Sequence, residues 1–198
     1  PHYITLGKEL PAKALDEILT DHAEVFTELK EYYKQTSESD TTKISFYEDT
    51  YSLYNLYRFA HYYEEAYGKY IWLKSGASLV IEHTEAMTVI DVNTGSVLKK
   101  KKQEDTLFYQ INREAAKEIA RQLRLRNISG IIMIDFINMK DTAQKEKLLS
   151  LLDSECKKDR VHCNVIDMTA LNLVEMTRSK VRKPLHEQIR SCMKNNRS

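Results

Sequence analysis

Residues 131–137 read Ile-Ile-Met-Ile-Asp-Phe-Ile, and the reading of this run decides the fold class. It is too short for a buried helix and follows neither helical nor alternating periodicity, the mark of a central strand covered by helices on both sides. Ser129-Gly130 turns the chain into it. Upstream, the stretch 112–126 is read as a helix whose apolar face holds Ile111, Ala115, Ala116, Ile119, Ala120 and Leu123. Downstream, 142–157 repeats such a face with Leu148, Leu149, Leu151 and Leu152, and the strand-like 163–168 follows. Further upstream, Leu79–Ile81 and Met87–Val92 flank the polar His83-Thr84-Glu85, a hairpin of two strands. The pattern predicts an α/β chain of the mixed α+β kind.

Residues 1–70 have a different texture. A helical stretch over 10–34 is interrupted by a short apolar strand around 17–19, and a helix restarts at Glu24 with Asp21 as its cap. Gln35–Thr42 is small and polar, a solvated loop, and 43–47 reads as a strand. Over 51–67, Tyr51, Tyr54, Leu56, Tyr57, Phe59, Tyr62 and Tyr63 fall at three- and four-residue spacings, predicting one long amphipathic helix ended by Gly68. At that spacing the rings are expected to fill a core or interface rather than stack on bases.

Composition excludes several classes. With 42% hydrophobic and 30% charged residues the chain is an ordinary globular one, not a disordered or fibrous one. No run approaches the roughly 20 apolar residues of a membrane span, and no secretory signal opens the chain, so a cytoplasmic protein is expected. Cys156, Cys163 and Cys192 form no paired motif and are read as reduced thiols. The chain opens on Pro1, from which a processed or excised piece is expected. The net charge of +1 is uninformative, but the halves differ: acids crowd residues 1–70, whereas Lys99–Lys102, Arg121, Arg124, Arg126, Arg178, Lys180, Arg182 and Lys183 lie in the second half.

Two acids interrupt apolar strands: Val89-Ile90-Asp91 and Met133-Ile134-Asp135. An ionised carboxylate there is costly unless something positive meets it. A single one is most simply a cap or a lysine partner. Two at the ends of neighbouring strands can converge on one hard cation. Asn93, two residues past Asp91 on an extended chain, shares its side and adds a neutral oxygen ligand or an orienting donor. An oxygen-only set suits Mg²⁺, with Mn²⁺ as the alternative ion, and disfavours zinc. Such an ion serves phosphodiester hydrolysis, and the basic runs around Lys100, Arg124, Arg126 and Arg178 are the candidates to hold a phosphate backbone.

Longer motifs then carry a resemblance: Ile71-Trp-Leu-Lys-Ser-Gly, His83-Thr-Glu-Ala-Met-Thr-Val-Ile-Asp-Val-Asn-Thr-Gly95, Asn112-Arg-Glu-Ala-Ala, Ile134-Asp-Phe-Ile-Asn-Met139 and Leu173-Val-Glu-Met-Thr-Arg178. In this order they resemble the RNase E/G family of bacterial endoribonucleases. The resemblance implies a DNase I-like catalytic subdomain over 71–185, part of an RNase H-like subdomain over 1–70, and a tail over 186–198. It implies that Asp91 and Asp135 bind the catalytic magnesium, that Asn93 helps orient the site, and that single-stranded RNA is cut in mRNA turnover or rRNA processing. The family's basic reader of the 5′ phosphate aligns to His162, and only Cys192 stands where a paired-cysteine zinc link joins subunits into a homo-oligomer. Ala77, Ser129 and Asn172 replace usual glycines. The competing readings are an RNA-binding module of the same fold with little catalysis, for which the basic runs would matter most, and a DNA-directed phosphodiesterase.

Overall fold

The computed structural model describes residues 16–36, 43–95 and 104–188. Its internal contacts divide the chain into two units, Pro1–Tyr62 and Tyr63–Ser198.

In the first unit, strand β1 (Glu17–Thr20), helix α1 (Ala23–Thr36) and strand β2 (Lys43–Phe46) form a βαβ crossover. β1 and β2 pair in parallel, Glu17 opposite Lys43. That register places the Lys43 Nζ 3.3 Å from Glu17 Oε1, and the Ser45 hydroxyl donates to the same oxygen at 2.5 Å. Leu29 of α1 is buried, and Phe26 packs on Phe46 with ring centroids 5.4 Å apart. The long helix expected over 51–67 is broken in two. Ser52 caps a four-residue helix α2 (Leu53–Leu56), Arg58 takes a left-handed φ of 51°, and helix α3 (Phe59–Tyr67) starts afresh. One left-handed residue rotates the chain out of helical register, so the tyrosines no longer share a face. Nor do they fill a core: Tyr51, Tyr54, Tyr57, Tyr62 and Tyr63 are all exposed.

The second unit is a six-stranded mixed sheet. Its strands are β3 (Tyr70–Trp72), β4 (Ser78–His83), β5 (Met87–Asn93), β6 (Gly130–Asp135), β7 (Cys163–Met168) and β8 (Leu173–Arg178), in the order β3-β4-β5-β6-β8-β7. The hairpin expected around His83-Thr84-Glu85 is present, with β4 and β5 antiparallel and the Thr84 and Met87 backbones bonded at 2.9 Å. Helix α4 (Glu104–Leu125) then carries the chain to β6, which lies parallel to β5. Helix α5 (Thr142–Cys156), capped by Asp141, follows β6. The expected repeat of that unit stops here. β7 goes to the sheet edge, and β8 inserts antiparallel between it and β6.

The central strand also departs from the sequence reading. Ile132 and Ile134 are fully buried against Ile111, Ala115 and Ile119 of α4 and Leu148 and Leu152 of α5, all in one core. On the other side of β6, Ile131 is 49% exposed and Asp135 is exposed. β5 alternates likewise, Thr88, Ile90 and Val92 inward and Met87, Val89 and Asp91 outward. Among the described residues of this unit, helices therefore cover one face of the sheet. The apolar residues of β6 on the far side are partly exposed, which periodicity cannot distinguish from burial.

Candidate active site

β5 and β6 run in parallel with Ile90 opposite Ile134 and Asp91 opposite Asp135. Directly paired residues of neighbouring strands project to the same face, and backbones in adjacent strands stand about 4.8 Å apart. The two aspartates are thus cross-strand neighbours on the open face, at the ends where β5 and β6 leave the sheet. The buried partners on either side, Ile90, Val92 and Ile134, set this orientation: a slip of one residue would turn the carboxylates into the core.

Asn93 continues the same side of β5, and its Nδ2 donates to Asp91 Oδ2 at 2.7 Å. Of the two uses read from the sequence, the hydrogen bond corresponds to the orienting donor. The Asp135 carboxyl is held above its ordinary pKa, first by partial burial at the strand end and then by the negative charge of Asp91. Among the described residues no group of three or more His, Cys, Asp or Glu side chains is arranged to hold a metal ion. The oxygen donors available at these strand ends are two carboxylates and one carboxamide, the set that favours an ion keeping several waters.

The strand exits are held from outside the pair. Asn112 of α4 is fully buried; its Nδ2 donates to the Ile137 carbonyl at 2.7 Å and its Oδ1 accepts from the Ile137 N–H at 3.0 Å. Gly95, just beyond Asn93, has φ 58°, and a Cβ there would lie 2.6 Å from the Gly76 carbonyl oxygen. Asn172 takes the left-handed φ of 64° that a glycine would take at no cost, and asparagine tolerates it. It leads into Leu173, the register partner of Asp135, and its Oδ1 accepts from Lys145 Nζ at 2.7 Å. Charge pattern does not single out Lys145, which lies on a helix beside Glu146 and Lys147, where charges alternate, rather than in a basic run. Asn112 was visible as a polar residue beside the apolar face of its helix, but its partner lies 25 residues away.

Three of the basic residues read for the phosphate backbone, Arg124, Arg126 and Arg178, have partners within the protein. Arg126 is buried and donates to Gln122 Oε1, the Gly68 carbonyl and the Glu65 carbonyl at 2.6, 2.8 and 2.9 Å. Arg178 is buried, 2.9 Å from Asp159 Oδ2, and also donates to Asn127 Oδ1 and the Ile128 carbonyl. Arg124 is half-buried and donates to the Glu155 carbonyl at 3.3 Å, while Arg121 pairs with Glu118 and Glu65. These guanidiniums tie helices, strands and loops together; a fixed fork of donors suits carbonyls as well as phosphates. Lys100 lies outside the described residues. His162 is exposed, but it precedes Cys163, the partner of Arg178, which in turn pairs with Gly130 at the start of β6. It therefore stands at the opposite end of the sheet from Asp135.

Comparison with known proteins agrees with the sequence motifs. The model of the Ribonuclease E/G family matches residues 3–181. Ribonuclease G of Escherichia coli (strain K12) is 38% identical over 171 residues, which cover 86% of this chain and 35% of that protein. Ribonuclease G of Haemophilus influenzae is 39% identical over the same shares. Ribonuclease E of a Nostoc species is 34% identical over 176 residues, 87% of this chain and 26% of that protein. The chain spans about a third of the length of the Ribonuclease G relatives it matches. With a match over most of its length and its motifs in order, the chain belongs to the Ribonuclease E/G family.

Proposed function

We propose that this chain is the catalytic core of a magnesium-dependent endoribonuclease that hydrolyses phosphodiester bonds of single-stranded RNA. The observation that carries the reading is the register pairing of Asp91 with Asp135 on the open sheet face. Two carboxylates side by side repel each other, and the Asp135 pKa is raised first by partial burial and then by the charge of Asp91; a hard cation would relieve both costs. Asp91 and Asp135 would hold the ion, with Mn²⁺ able to replace Mg²⁺. When bound, magnesium supplies a Lewis acid and a water of lowered pKa beside the phosphodiester.

The chain's own residues would do the remaining work. Asn93, donating to Asp91 Oδ2, keeps that carboxylate turned to the open face and leaves its other oxygen for the ion. Asp135 is exposed at the end of β6, so a substrate strand would meet it from the face that the described helices leave uncovered. Lys145, which donates to Asn172 one residue before the register partner of Asp135, is a candidate positive charge at this end of the sheet. The alternative of a non-catalytic RNA-binding module rested on the basic runs, and Arg124, Arg126 and Arg178 are engaged internally.

Asp135→Asn tests the reading, because it keeps the shape and removes one charge. Internal cleavage of a 5′-monophosphorylated single-stranded RNA in Mg²⁺ should fall by at least about 100-fold, with RNA affinity unchanged or slightly tighter. Cleavage by this variant at the parental rate would refute the assignment.

A further inference from the structure

Helix α4 (Glu104–Leu125) lies against the buried side of the sheet, opposite the face that carries Asp91 and Asp135. From there Asn112 reaches the loop that leaves β6. We propose that Asn112 is a positioning residue for the Asp91–Asp135 pair: its buried carboxamide, bonded to both backbone groups of Ile137, sets the exit of β6 and with it the direction of the Asp135 carboxylate. The proposal rests on the metal reading above and deepens it.

The physical case is one of backbone accounting. β6 ends at Asp135, and residues 136–139 belong to no strand. A buried N–H and C=O at the end of a strand need partners. The Asn112 side chain offers one donor and one acceptor in the spacing of a peptide group, so it stands in for the next residue of a neighbouring strand. Phe136 and Met139 are buried on either side of Ile137, so the loop is anchored by packing at two points and by hydrogen bonds between them. Asp135 sits one residue before this anchored segment, and a carboxylate at the last position of a strand has no ladder beyond it to fix its backbone. Asparagine is a poor residue for a helix interior, and here it lies beside Ile111 and next to the buried Ala115 and Ala116. An aspartate would carry two acceptors and no donor for the Ile137 carbonyl.

Loosening the loop should therefore act on ion affinity and turnover rather than on RNA binding. The experiment compares parent, Asn112→Ala, Asn112→Asp and Gln122→Ala in the full chain, using Mn²⁺ titration followed by electron paramagnetic resonance, together with kcat and KM on single-stranded RNA. Gln122 is a fully buried polar residue of the same helix, bonded to Glu118 and Arg126 rather than to the loop, and serves as the control for general loosening. In Asn112→Ala the Mn²⁺ dissociation constant should rise on the order of 10-fold and kcat should fall, with KM within about twofold and excess Mn²⁺ restoring part of kcat. Gln122→Ala should keep the parental Mn²⁺ affinity. Should Asn112→Ala fail to fold, Asn112→Asp, which keeps the shape and the bond to the Ile137 N–H but sets an acceptor against the Ile137 carbonyl, should show the same weakening. Parental Mn²⁺ affinity in the folded Asn112 variants, or equal weakening in Gln122→Ala, overturns the proposal while leaving the metal reading intact. A parent that binds no Mn²⁺ removes the metal reading and the proposal with it.

Discussion

Arg178 and Asp159 meet at 2.9 Å with side chains only 3% and 7% exposed, and their surroundings show why charge pattern alone misassigns a residue. The arginine also donates to Asn127 and to the Ile128 carbonyl, so one guanidinium joins β8, the loop before β6 and the loop before β7. Removing one partner of a buried pair leaves the other charge desolvated and unpaired. Arg178→Ala should therefore lower unfolding free energy by about 3–5 kcal/mol, read from urea denaturation. For molecules that remain folded, the salt dependence of RNA affinity should stay as in the parent, since this guanidinium faces no phosphate. A lost counterion in that slope would restore Arg178 to the RNA-contacting set.

At the scale of elements, the β4–β5 hairpin and the exits of the two aspartate strands have requirements of their own. Gly95 at φ 58° packs against the Gly76 carbonyl, and an added Cβ would clash with backbone at 2.6 Å. Gly95→Ala should cost about 1–3 kcal/mol, from strain at a left-handed position and displacement of the β3–β4 turn, seen as a lower thermal midpoint. The hairpin also carries His83, whose Nδ1 is 3.0 Å from Thr88 Oγ1 and whose ring stacks on that of His186 at 3.8 Å. Burial first, then the charges of His186 and Arg126, push its pKa down from 6.5 to about 4. Lys69 and Glu82, paired with each other, line the same cavity. Because the folded state binds its proton at lower pH than the unfolded state, this group's contribution is fully favourable above pH 6.5. It is lost as pH falls from 6.5 toward 4. The loss should be on the order of 1–3 kcal/mol, and urea midpoints for parent and His83→Gln across that window should converge as pH falls.

For the molecule as a whole, the two units differ in how much they bury. Among described residues of the first unit only Leu29 is a buried apolar side chain, whereas the second holds a continuous core from Ile71 to Met176. A two-stranded sheet with so small a core is marginal by itself. Amide hydrogen exchange should accordingly be fast in β1, α1 and β2 and slowest in β5, β6 and the middle of α4. Equal protection in both units would contradict this difference.

Fold type and the two aspartates were legible because they depend on local pattern. Apolar runs bounded by turn residues located β4, β5, β6 and β7, a repeating apolar face located α4 and α5, and an acid closing an apolar strand drew attention to Asp91 and Asp135. Such signals need only neighbours in sequence. What lay beyond them depends on partners far apart in the chain. Whether β6 is covered on both faces, whether β8 inserts beside it, and whether Arg126 and Arg178 meet carbonyls, a carboxylate or solvent are decided by the packing of segments tens of residues apart. Side-chain charge is a property of the residue and can be read from the sequence; its partner is a property of the assembled sheet, so only the tertiary structure reassigned these arginines from the candidate RNA surface to the framework.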